Sequence, residues 1–261
     1  MEFLRIAKDN RVAIVTIDKP PANTLDFALY DEITSLVGQL EEDDRVRAVV
    51  FTSAHPKLFI SGADIKDMES YDRSPGPMTE RVRKAQTTFL RLQRLAKPTV
   101  GAITGHALGG GCEFSLCLDF RVMMRGGPTI GLPEVNLGLV PGGGGTQRLS
   151  RLVGRSKALE LLMLGSRLDA DEALAAGLVT SVGIDSEDTM SQALQLAARL
   201  ADQAPIAVRL IKQAVNEGLD GDLERGLRLE RTAVVTALLS DDSREGVAAF
   251  LAKRPPRFEG R

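Results

Sequence analysis

The amino-acid sequence predicts an α/β body followed by a helical C-terminal region. Short apolar, β-branched runs alternate with helical periodicities through the first half of the chain, an order typical of α/β folds. From about residue 188 onward every periodic segment is helical. The chain has 261 residues, 43% of them apolar, and is therefore long enough to bury a full core without disulfide bonds. We place the boundary near Ala204-Pro205, between a body of residues 1–204 and a helical region of residues 205–261.

The first half contains both strand and helix patterns. Residues 25–40 and 78–97 have the apolar spacing of helices. Residues 70–77 are predicted as a surface loop, because Pro75-Gly76-Pro77 interrupts either periodicity. The apolar runs predicted as strands are residues 12–17, 46–52, 100–104 and 120–124.

The second half is predicted to be mostly helical. Residues 156–164 form one helix, and Asp169 to Glu172 resemble a capping box that opens another, which stops at Gly177. Helices as apolar as those after residue 204 need a partner surface, either on the body or on another subunit. Their stripes include Ile206, Leu210, Ala214, Leu223, Leu227, Val234, Leu238, Val247 and Phe250.

Composition restricts the class of protein. With 33 basic and 35 acidic residues the formal net charge is −2, which favours neither a nucleic-acid-binding nor a membrane-surface protein. Cys112 and Cys117 lie in an apolar run and are predicted to be reduced core residues. Residues 1–9 lack the apolar core of a signal peptide, and no run approaches the ~18 uncharged apolar residues of a membrane span. We expect a cytoplasmic protein.

The first chemistry-bearing segment is a run of three glycines, residues 109–111, that precedes Glu113 and follows a predicted strand. Glycines that enter a helix leave its first N–H groups uncovered, and the helix dipole favours negative charge there. Tight packing of helix on sheet is the alternative explanation. It accounts less well for three glycines followed by a carboxylate, so we interpret the run as part of a site.

A second glycine-rich segment carries Glu134, which follows Gly131-Leu132-Pro133 and precedes the run at residues 141–145. Two glutamates in apolar, glycine-framed surroundings can serve as one acid and one base when their pKa values are pushed apart. Each could instead be paired with an arginine, Arg121 or Arg148. A third segment, Ser61-Gly62-Ala63, is either a plain strand-to-helix turn or a turn whose N–H groups bind an oxygen anion.

The sequence does not match the common nucleotide-binding, serine-hydrolase or metal-binding motifs. Phe114 stands where a dinucleotide fingerprint needs glycine, and the run at 142–145 lacks the Lys of a phosphate loop. No Gly-x-Ser-x-Gly elbow or metal-ligand spacing occurs, so no metal is expected. Of the two histidines, His55 is interpreted as a solvated loop residue, whereas His106 could line a pocket.

The predicted helix 78–97 is basic, with no acidic residue after Glu80. A solvated face is the simple interpretation, and binding of phosphate groups or RNA is the alternative. Interleaved aromatic residues, which stack on bases, are missing, so nucleic acid is not favoured as a partner. The basic residues are Arg81, Arg83, Lys84, Arg91, Arg94 and Lys97.

Taken together, these segments resemble the enoyl-CoA hydratase (crotonase) family over essentially the whole chain. The resemblance implies a crotonase-like spiral of ββα units with a C-terminal helical region that trimerises, giving homotrimers or homohexamers. It also implies acyl-CoA thioester substrates. The matching segments are residues 59–66, 105–113, 132–134, 137–149 and 245–254.

The resemblance further implies roles for individual residues. The N–H groups of Ala63 and Gly110 would form an oxyanion hole, Glu113 would accept a proton from water, and Glu134 would protonate C2 of a trans-2-enoyl thioester, giving a 3-hydroxyacyl-CoA. No metal or redox cofactor is implied, because coenzyme A enters as part of the substrate. Gly142 would help to hold the water. The positions along the substrate and its CoA moiety are Ala22, Leu25, Ala63, Asp64, Ile65, Lys66, Gly109, Gly110, Pro133, Gly142, Phe250 and Lys253.

Alternatives to hydration stay open at this point. One is another reaction of the same family, an enoyl-CoA isomerase or a dehydratase with a specialised acyl group. Isomerisation can proceed with one carboxyl, so a requirement for Glu113 separates it from hydration. The other is an RNA-binding protein that uses residues 81–97, with or without hydratase activity.

Overall fold

The computed structural model describes residues 1–65 and 67–261. Its strands are β1 (Leu4–Asp9), β2 (Val12–Ile17), β3 (Thr24–Leu25), β4 (Ala48–Ser53), β5 (Leu58–Ile60), β6 (Gly62–Ala63), β7 (Thr99–Ile103), β8 (His106–Leu108), β9 (Phe120–Met124), β10 (Ile130–Gly131), β11 (Arg167–Leu168) and β12 (Ser181–Gly183). Its α-helices are α1 (Phe27–Glu42), α2 (Pro75–Gln93), α3 (Gly110–Cys117), α4 (Gly145–Val153), α5 (Arg155–Leu164), α6 (Ala170–Ala175), α7 (Ser186–Ala201), α8 (Pro205–Gly218), α9 (Leu223–Leu238) and α10 (Asp241–Leu251). Short 3₁₀ helices span Asp67–Ser70 and Glu134–Leu137.

Within the described residues, the body contains two large sheets and a two-stranded parallel sheet of β3 and β6. In the larger, the order is β1-β2-β4-β7-β9-β12, and in the smaller it is β11-β10-β8-β5. All neighbours in both sheets run parallel except β1–β2 and β10–β11. Successive strand pairs β4/β5, β7/β8 and β9/β10 each place one strand in each sheet, so the chain winds as a spiral of ββα turns. The strands predicted from sequence are all present, within two residues at either end.

Helix α1 illustrates how the sequence sets an element. Asp26 precedes it with extended backbone, and its carboxylate accepts the N–H of Leu29, which is the arrangement of an N-cap. Its buried residues recur at helical spacing and face the main core. They are Leu29, Ile33, Leu36, Val37 and Leu40.

An aromatic cluster holds the start of α3. The ring of Phe114 lies 5.5 Å from that of Phe51, 6.0 Å from that of Phe59 and 6.2 Å from that of Phe89, measured between centroids. Phe51 and Phe114 meet edge to face, a geometry that contributes about 0.5–1.5 kcal/mol beyond the burial of area. Because Phe114 directly follows Glu113, this cluster fixes the position of the carboxylate.

A second core lies on the opposite face of the larger sheet. Ala193, Ala197 and Ala201 form a stripe of small residues on α7, and they pack with Val50 of β4 and Val100 of β7. Because alanine side chains are small, α7 can pack closely against the sheet. The larger sheet is therefore covered on both faces, as parallel sheets require.

The C-terminal region consists of α8, α9, α10 and a tail that folds back on α10. The buried Asp242 carboxylate accepts the N–H groups of Glu259 at 2.7 Å and Gly260 at 2.9 Å. Arg47, which directly precedes β4, donates to the carbonyl of Phe258 at 3.0 Å. An apolar groove of about 590 Å³ opens between the three helices.

Three local predictions were wrong. The segment 70–77 is not all loop, because α2 begins at Pro75, where proline is tolerated in a first turn. The same helix ends at Gln93, four residues before its predicted end. His55 is half-buried rather than solvated, and its Nδ1 accepts the N–H groups of Lys57 and Leu58. Within the described residues, no helix is both long and apolar enough to cross a membrane.

Candidate active site

One cleft of about 490 Å³ collects the glycine-rich segments and the two glutamates. It opens where the start of α1, the β6 strand, α2, the start of α3 and the 3₁₀ helix at Glu134 meet. Nine of the residues predicted from the sequence line this cleft. They are Leu25, Ala63, Ile65, Gly109, Gly110, Glu113, Pro133, Glu134 and Gly142.

Two backbone segments approach each other on one wall of the cleft. A Cβ added to Gly62 would lie 3.2 Å from the nitrogen of Gly110, and a Cβ added to Gly110 would lie 3.8 Å from the nitrogen of Ala63. Gly110 is the first residue of α3, where N–H groups have no partner within the helix. The nitrogens of Ala63 and Gly110 are thus neighbours, as an oxyanion hole requires.

Within the glycine run, the residues serve different purposes. Gly109 has φ +55°, in the left-handed region, so the chain can turn sharply from β8 into α3. A Cβ on Gly111 would lie 2.0 Å from the carbonyl oxygen of Ile60, so this glycine allows α3 to pack on β5. The packing explanation therefore holds at Gly111, and the interpretation of the run as part of a site stays a prediction.

Glu113 is buried, with 5% of its surface exposed, and it accepts backbone N–H groups. Its Oε1 lies 2.8 Å from the nitrogen of Gly145, the first residue of α4. Burial raises the pKa of Glu113, while hydrogen bonds from the N–H groups of Gly145, Gly143 and Gly144 and the charge of Arg148 oppose the rise. The positive end of the α4 dipole also favours the carboxylate.

Glu134 lies in a different environment. It opens the 3₁₀ helix after Pro133, and a Cβ on Gly109 would lie 3.3 Å from its Oε1. Its Oε2 is buried and has no hydrogen-bond partner among the described residues. Burial first, and then repulsion by Glu113, raises the pKa of Glu134 to about 7. The two carboxyls therefore differ: backbone N–H groups of three glycines favour the charged form of Glu113, whereas Glu134 has a backbone hydrogen bond only within its own residue and its Oε2 has no partner among the described residues.

The arginine alternative for these glutamates is not observed. Arg121 donates instead to the carbonyls of Leu178, Ser115 and Leu118. Arg148 donates to the side chain of Gln93 at 2.7 Å and to the carbonyl of Gly143 at 2.8 Å. Neither guanidinium forms an ion pair with Glu113 or Glu134, and Arg148 instead secures the loop that faces Glu113.

Several other predicted positions lie away from the cleft lining. Ala22 and Asp64 are not part of it, and Lys66 lies outside the described residues. Phe250 is 83% exposed at the end of α10, and Lys253 is also exposed just beyond that helix. These two side chains do not reach the cleft of their own chain.

Gly142 and His106 differ from expectation in detail. Gly142 lines the cleft but precedes α4, which begins at Gly145, so its N–H is not in the first helical turn. Its carbonyl accepts a hydrogen bond from Gln86 at 2.9 Å. His106 does not line the cleft, and its Nδ1 lies 3.0 Å from both the hydroxyl and the backbone nitrogen of Thr129.

The sequence did not single out several residues that line the cleft. Tyr30 and Phe27 come from α1, for which the sequence predicted only a helix. Arg81 was assigned to a solvated basic face, and Tyr71 to a loop. The apolar run that follows Glu134, residues 135–140, was the sequence feature that could have indicated an apolar wall of the cleft. The remaining lining includes Met68, Val82, Ala85, Leu137, Leu139, Val140 and Arg167.

Acidic residues neutralise much of the basic face of α2. Arg83 pairs with Glu80, and Lys84 pairs with Asp31 of α1. Arg91, near the end of the helix, lies 3.9 Å from the carboxylate of Glu41. This pairing weakens the case for a surface that binds nucleic acid. Within the residues described, no group of three His, Cys, Asp or Glu side chains could hold a metal ion.

Comparison with known proteins identifies the family of this chain. The family model described as enoyl-CoA hydratase/isomerase matches residues 7–261. A short-chain-enoyl-CoA hydratase of Clostridium acetobutylicum is 38% identical over 98% of this chain and 96% of its own length. A crotonyl-CoA hydratase of Syntrophomonas wolfei is 36% identical, with 98% of each chain covered.

Solved structures confirm the spiral of ββα turns. The enoyl-CoA hydratase of Bacillus anthracis superposes with a TM-score of 0.92 at 35% identity, covering 99% of this chain and all of that one (100%). The Geobacillus kaustophilus protein superposes with a TM-score of 0.94 at 34% identity, covering 99% of this chain and 97% of the other. Because sequence and fold agree over the whole chain, the protein belongs to the enoyl-CoA hydratase/isomerase family.

Proposed function

We infer that this protein is an enoyl-CoA hydratase, a hydro-lyase that reversibly adds water to trans-2-enoyl-CoA and gives 3-hydroxyacyl-CoA. The observation that carries the inference is the meeting, in one cleft, of two neighbouring backbone nitrogens and two carboxyls with unlike surroundings. The relatives named above as hydratases support it. Two carboxyls also favour hydration over isomerisation, which can use one.

In this proposal the thioester carbonyl lies between the N–H groups of Ala63 and Gly110. Attack of water at C3 moves negative charge onto that oxygen, as an enolate. Preorganised donors stabilise the enolate more than the neutral carbonyl, so they lower the barrier instead of only tightening binding. Loss of one such donor typically costs about 3–4 kcal/mol.

Proton transfers are assigned to the two glutamates. Glu113 takes the proton released by the attacking water, a role supported by the N–H of Gly145 that favours its ionised form. Glu134 gives a proton to C2, supported by its pKa of about 7, which leaves a large protonated fraction near neutrality. Atoms balance, because one water adds across C2 and C3. Exchange of protons with solvent restores both groups.

The reaction transfers no electrons between substrate and protein, so its chemistry requires no redox cofactor. In this proposal the two N–H donors stabilise the enolate and the two carboxyls move the protons, so no step is assigned to a metal ion. Coenzyme A enters covalently attached to the acyl group. We propose that Ala22, Leu25, Asp64, Ile65 and the undescribed Lys66 follow the CoA moiety outward from the oxyanion hole. Leu25 and Ile65, which line the cleft, support this path.

We also propose that residues 205–261 form an oligomerisation region that builds a homotrimer, or a homohexamer of two trimers. The apolar groove of α8–α10 and the exposure of Phe250 support this proposal. In such an assembly Phe250 and Lys253 would contact the CoA bound by a neighbouring subunit. We further propose a cytoplasmic location and a role in fatty-acid β-oxidation or related acyl-CoA metabolism, in keeping with two free, buried cysteines.

Replacement of either acid by its amide tests the assigned chemistry. Glu113→Gln and Glu134→Gln should each lower kcat for crotonyl-CoA hydration by about 10²–10⁴-fold, because an amide cannot exchange the proton. The measurement is the loss of absorbance of the conjugated thioester. Glu80→Gln, an equal change on the exposed face of α2, should leave turnover unchanged. Near-normal hydration by either site variant, with the fold intact by circular dichroism, would contradict the assignment.

A further inference from the structure

The positively charged side chain of Arg81 lies in the wall of the cleft, and the proposed reaction does not use it. The guanidinium of Arg81 lies over the ring of Tyr71, 3.8 Å from its centroid, and over the ring of Phe27, 4.8 Å from its centroid. All three residues line the cleft that contains the two glutamates. The two rings fix the plane of the guanidinium through cation–π contact.

Arg81 differs from its basic neighbours on α2 because it lacks an acidic partner among the described residues. Arg83 pairs with Glu80, and Lys84 pairs with Asp31. Asp26, the acid that lines the cleft besides the two glutamates, is already paired with Lys19 at 2.6 Å. The N–H groups of Arg81 are therefore available to a ligand.

The position of Arg81 relative to the acids follows from α2 itself. Phe89, two turns further along this helix, lies against the loop at Glu113: a Cβ on Gly143 would lie 2.8 Å from the Phe89 ring and 2.7 Å from Oε2 of Glu113. Ala85, one turn nearer Arg81, lines the cleft between them. Eight residues of helix rise about 12 Å, a distance that the arginine side chain and a short acyl chain span together.

We propose that Arg81 is a specificity-determining residue that selects 2-enoyl thioesters whose acyl chain ends in a carboxylate. The inference deepens the proposed function, because it rests on C3 lying beside Glu113 and on the acyl chain continuing along α2. A guanidinium binds a carboxylate through two parallel N–H donors, and stacking on rings leaves those edges free. An acyl chain that ends in a methyl group and is long enough to reach Arg81 would displace water from the guanidinium without offering hydrogen-bond acceptors in its place.

Saturated thioesters separate recognition from turnover, because they have no double bond to hydrate. By isothermal titration, glutaryl-CoA should bind the wild-type protein about tenfold or more tightly than pentanoyl-CoA, which has the same number of acyl carbons. Arg81→Met keeps an apolar chain over the rings and should bring the ratio of the two dissociation constants to about one. Arg81→Lys should keep part of the preference. Arg83→Met, a change at a surface pair, should leave the ratio as in wild type.

Two outcomes would overturn the proposal. One is equal affinity of the wild-type protein for the two thioesters. The other is an equal loss of affinity for glutaryl-CoA, pentanoyl-CoA and free CoA in Arg81→Met, which would assign the guanidinium to the CoA moiety. A wild-type protein that prefers glutaryl-CoA but does not hydrate crotonyl-CoA would refute the proposed reaction and leave the carboxylate site standing.

Turnover provides the second readout. With glutaconyl-CoA, the unsaturated counterpart of glutaryl-CoA, kcat/KM should fall at least about tenfold in Arg81→Met, since one charge-assisted contact is lost. With crotonyl-CoA, kcat/KM should stay within about twofold, because that substrate never reaches the guanidinium. A matching fall for both substrates would mean that Arg81 supports the fold of the cleft and not selection.

Discussion

Glu134 shows how one side chain can be suited to a proposed catalytic role and yet weaken the folded protein. Its half-buried carboxyl lacks a hydrogen-bond partner at Oε2 within the described residues, and its pKa is raised from 4.5 to about 7. A raised acid pKa means that the folded state prefers the protonated form. The stabilisation that protonation brings is complete below the unfolded pKa and is lost as the pH rises through about 7. The raised pKa, which suits Glu134 to the proposed proton transfer, therefore opposes folding in alkaline solution.

This leads to a prediction about stability and pH. Glu134→Gln cannot ionise, so it should be more stable than the wild type at pH 8, while the difference should shrink at pH 5, where Glu134 is protonated. Urea unfolding of both proteins at the two pH values measures it. Glu80→Gln, on the exposed surface, should show no such trend. A difference that is the same at both pH values would contradict the raised pKa.

At the scale of elements, α3 is held by a backbone contact that leaves no room for a side chain. The added Cβ of an alanine at Gly111 would lie 2.0 Å from the carbonyl oxygen of Ile60 in β5. Backbone cannot rotate away from such a contact as a side chain can. Either α3 or β5 must move, and Gly110 and Glu113 move with α3.

Gly111→Ala should therefore destabilise the protein by about 1–3 kcal/mol, the usual range for overpacking a core. It should also lower hydration activity in the fraction that stays folded. Gly127→Ala is the matched control, because an added Cβ there meets no heavy atom within 4 Å. Chemical unfolding measures both. Equal stability of the two variants would show that α3 can shift without penalty.

The same helix shows what sequence reasoning can and cannot reach. Glu113 and Glu134 were singled out as candidates because carboxyls are rare in apolar, glycine-rich surroundings, and the structure places both in one cleft. The division of the run into Gly109 for the turn and Gly111 for packing depends on the distance to Ile60, which no local pattern contains. Arg81 was assigned to solvent because helical spacing does not show which basic residue meets the rings of α1 and the segment before α2.

At the scale of the whole molecule, the C-terminal helices present an apolar surface that one chain leaves open. Val234 and Leu238 of α9, Ile211 of α8 and Val247 of α10 are each more than half exposed around the groove. Exposed patches of this kind usually mark an interface. Sequence periodicity indicated the stripes, but it did not indicate whether the body or another copy would cover them.

If a second copy covers the groove, a charge placed there should separate the subunits. Val234→Asp should shift the sedimentation coefficient from that of an oligomer to that of a monomer, because a buried unpaired carboxylate is costly. Ile184→Asp makes the same change at an exposed apolar residue outside the groove and should leave the assembly intact. A monomeric wild-type protein would end the oligomer proposal.

Cys112 and Cys117 are buried, and burial raises the pKa of Cys117 to about 12. They are the chain's two cysteines, so the native fold offers maleimides and similar reagents no ready thiolate. A single cysteine introduced on the surface near the cleft would consequently accept a fluorophore without prior removal of the natural pair. Substrate entry could then be followed by emission in real time, on an otherwise unaltered enzyme.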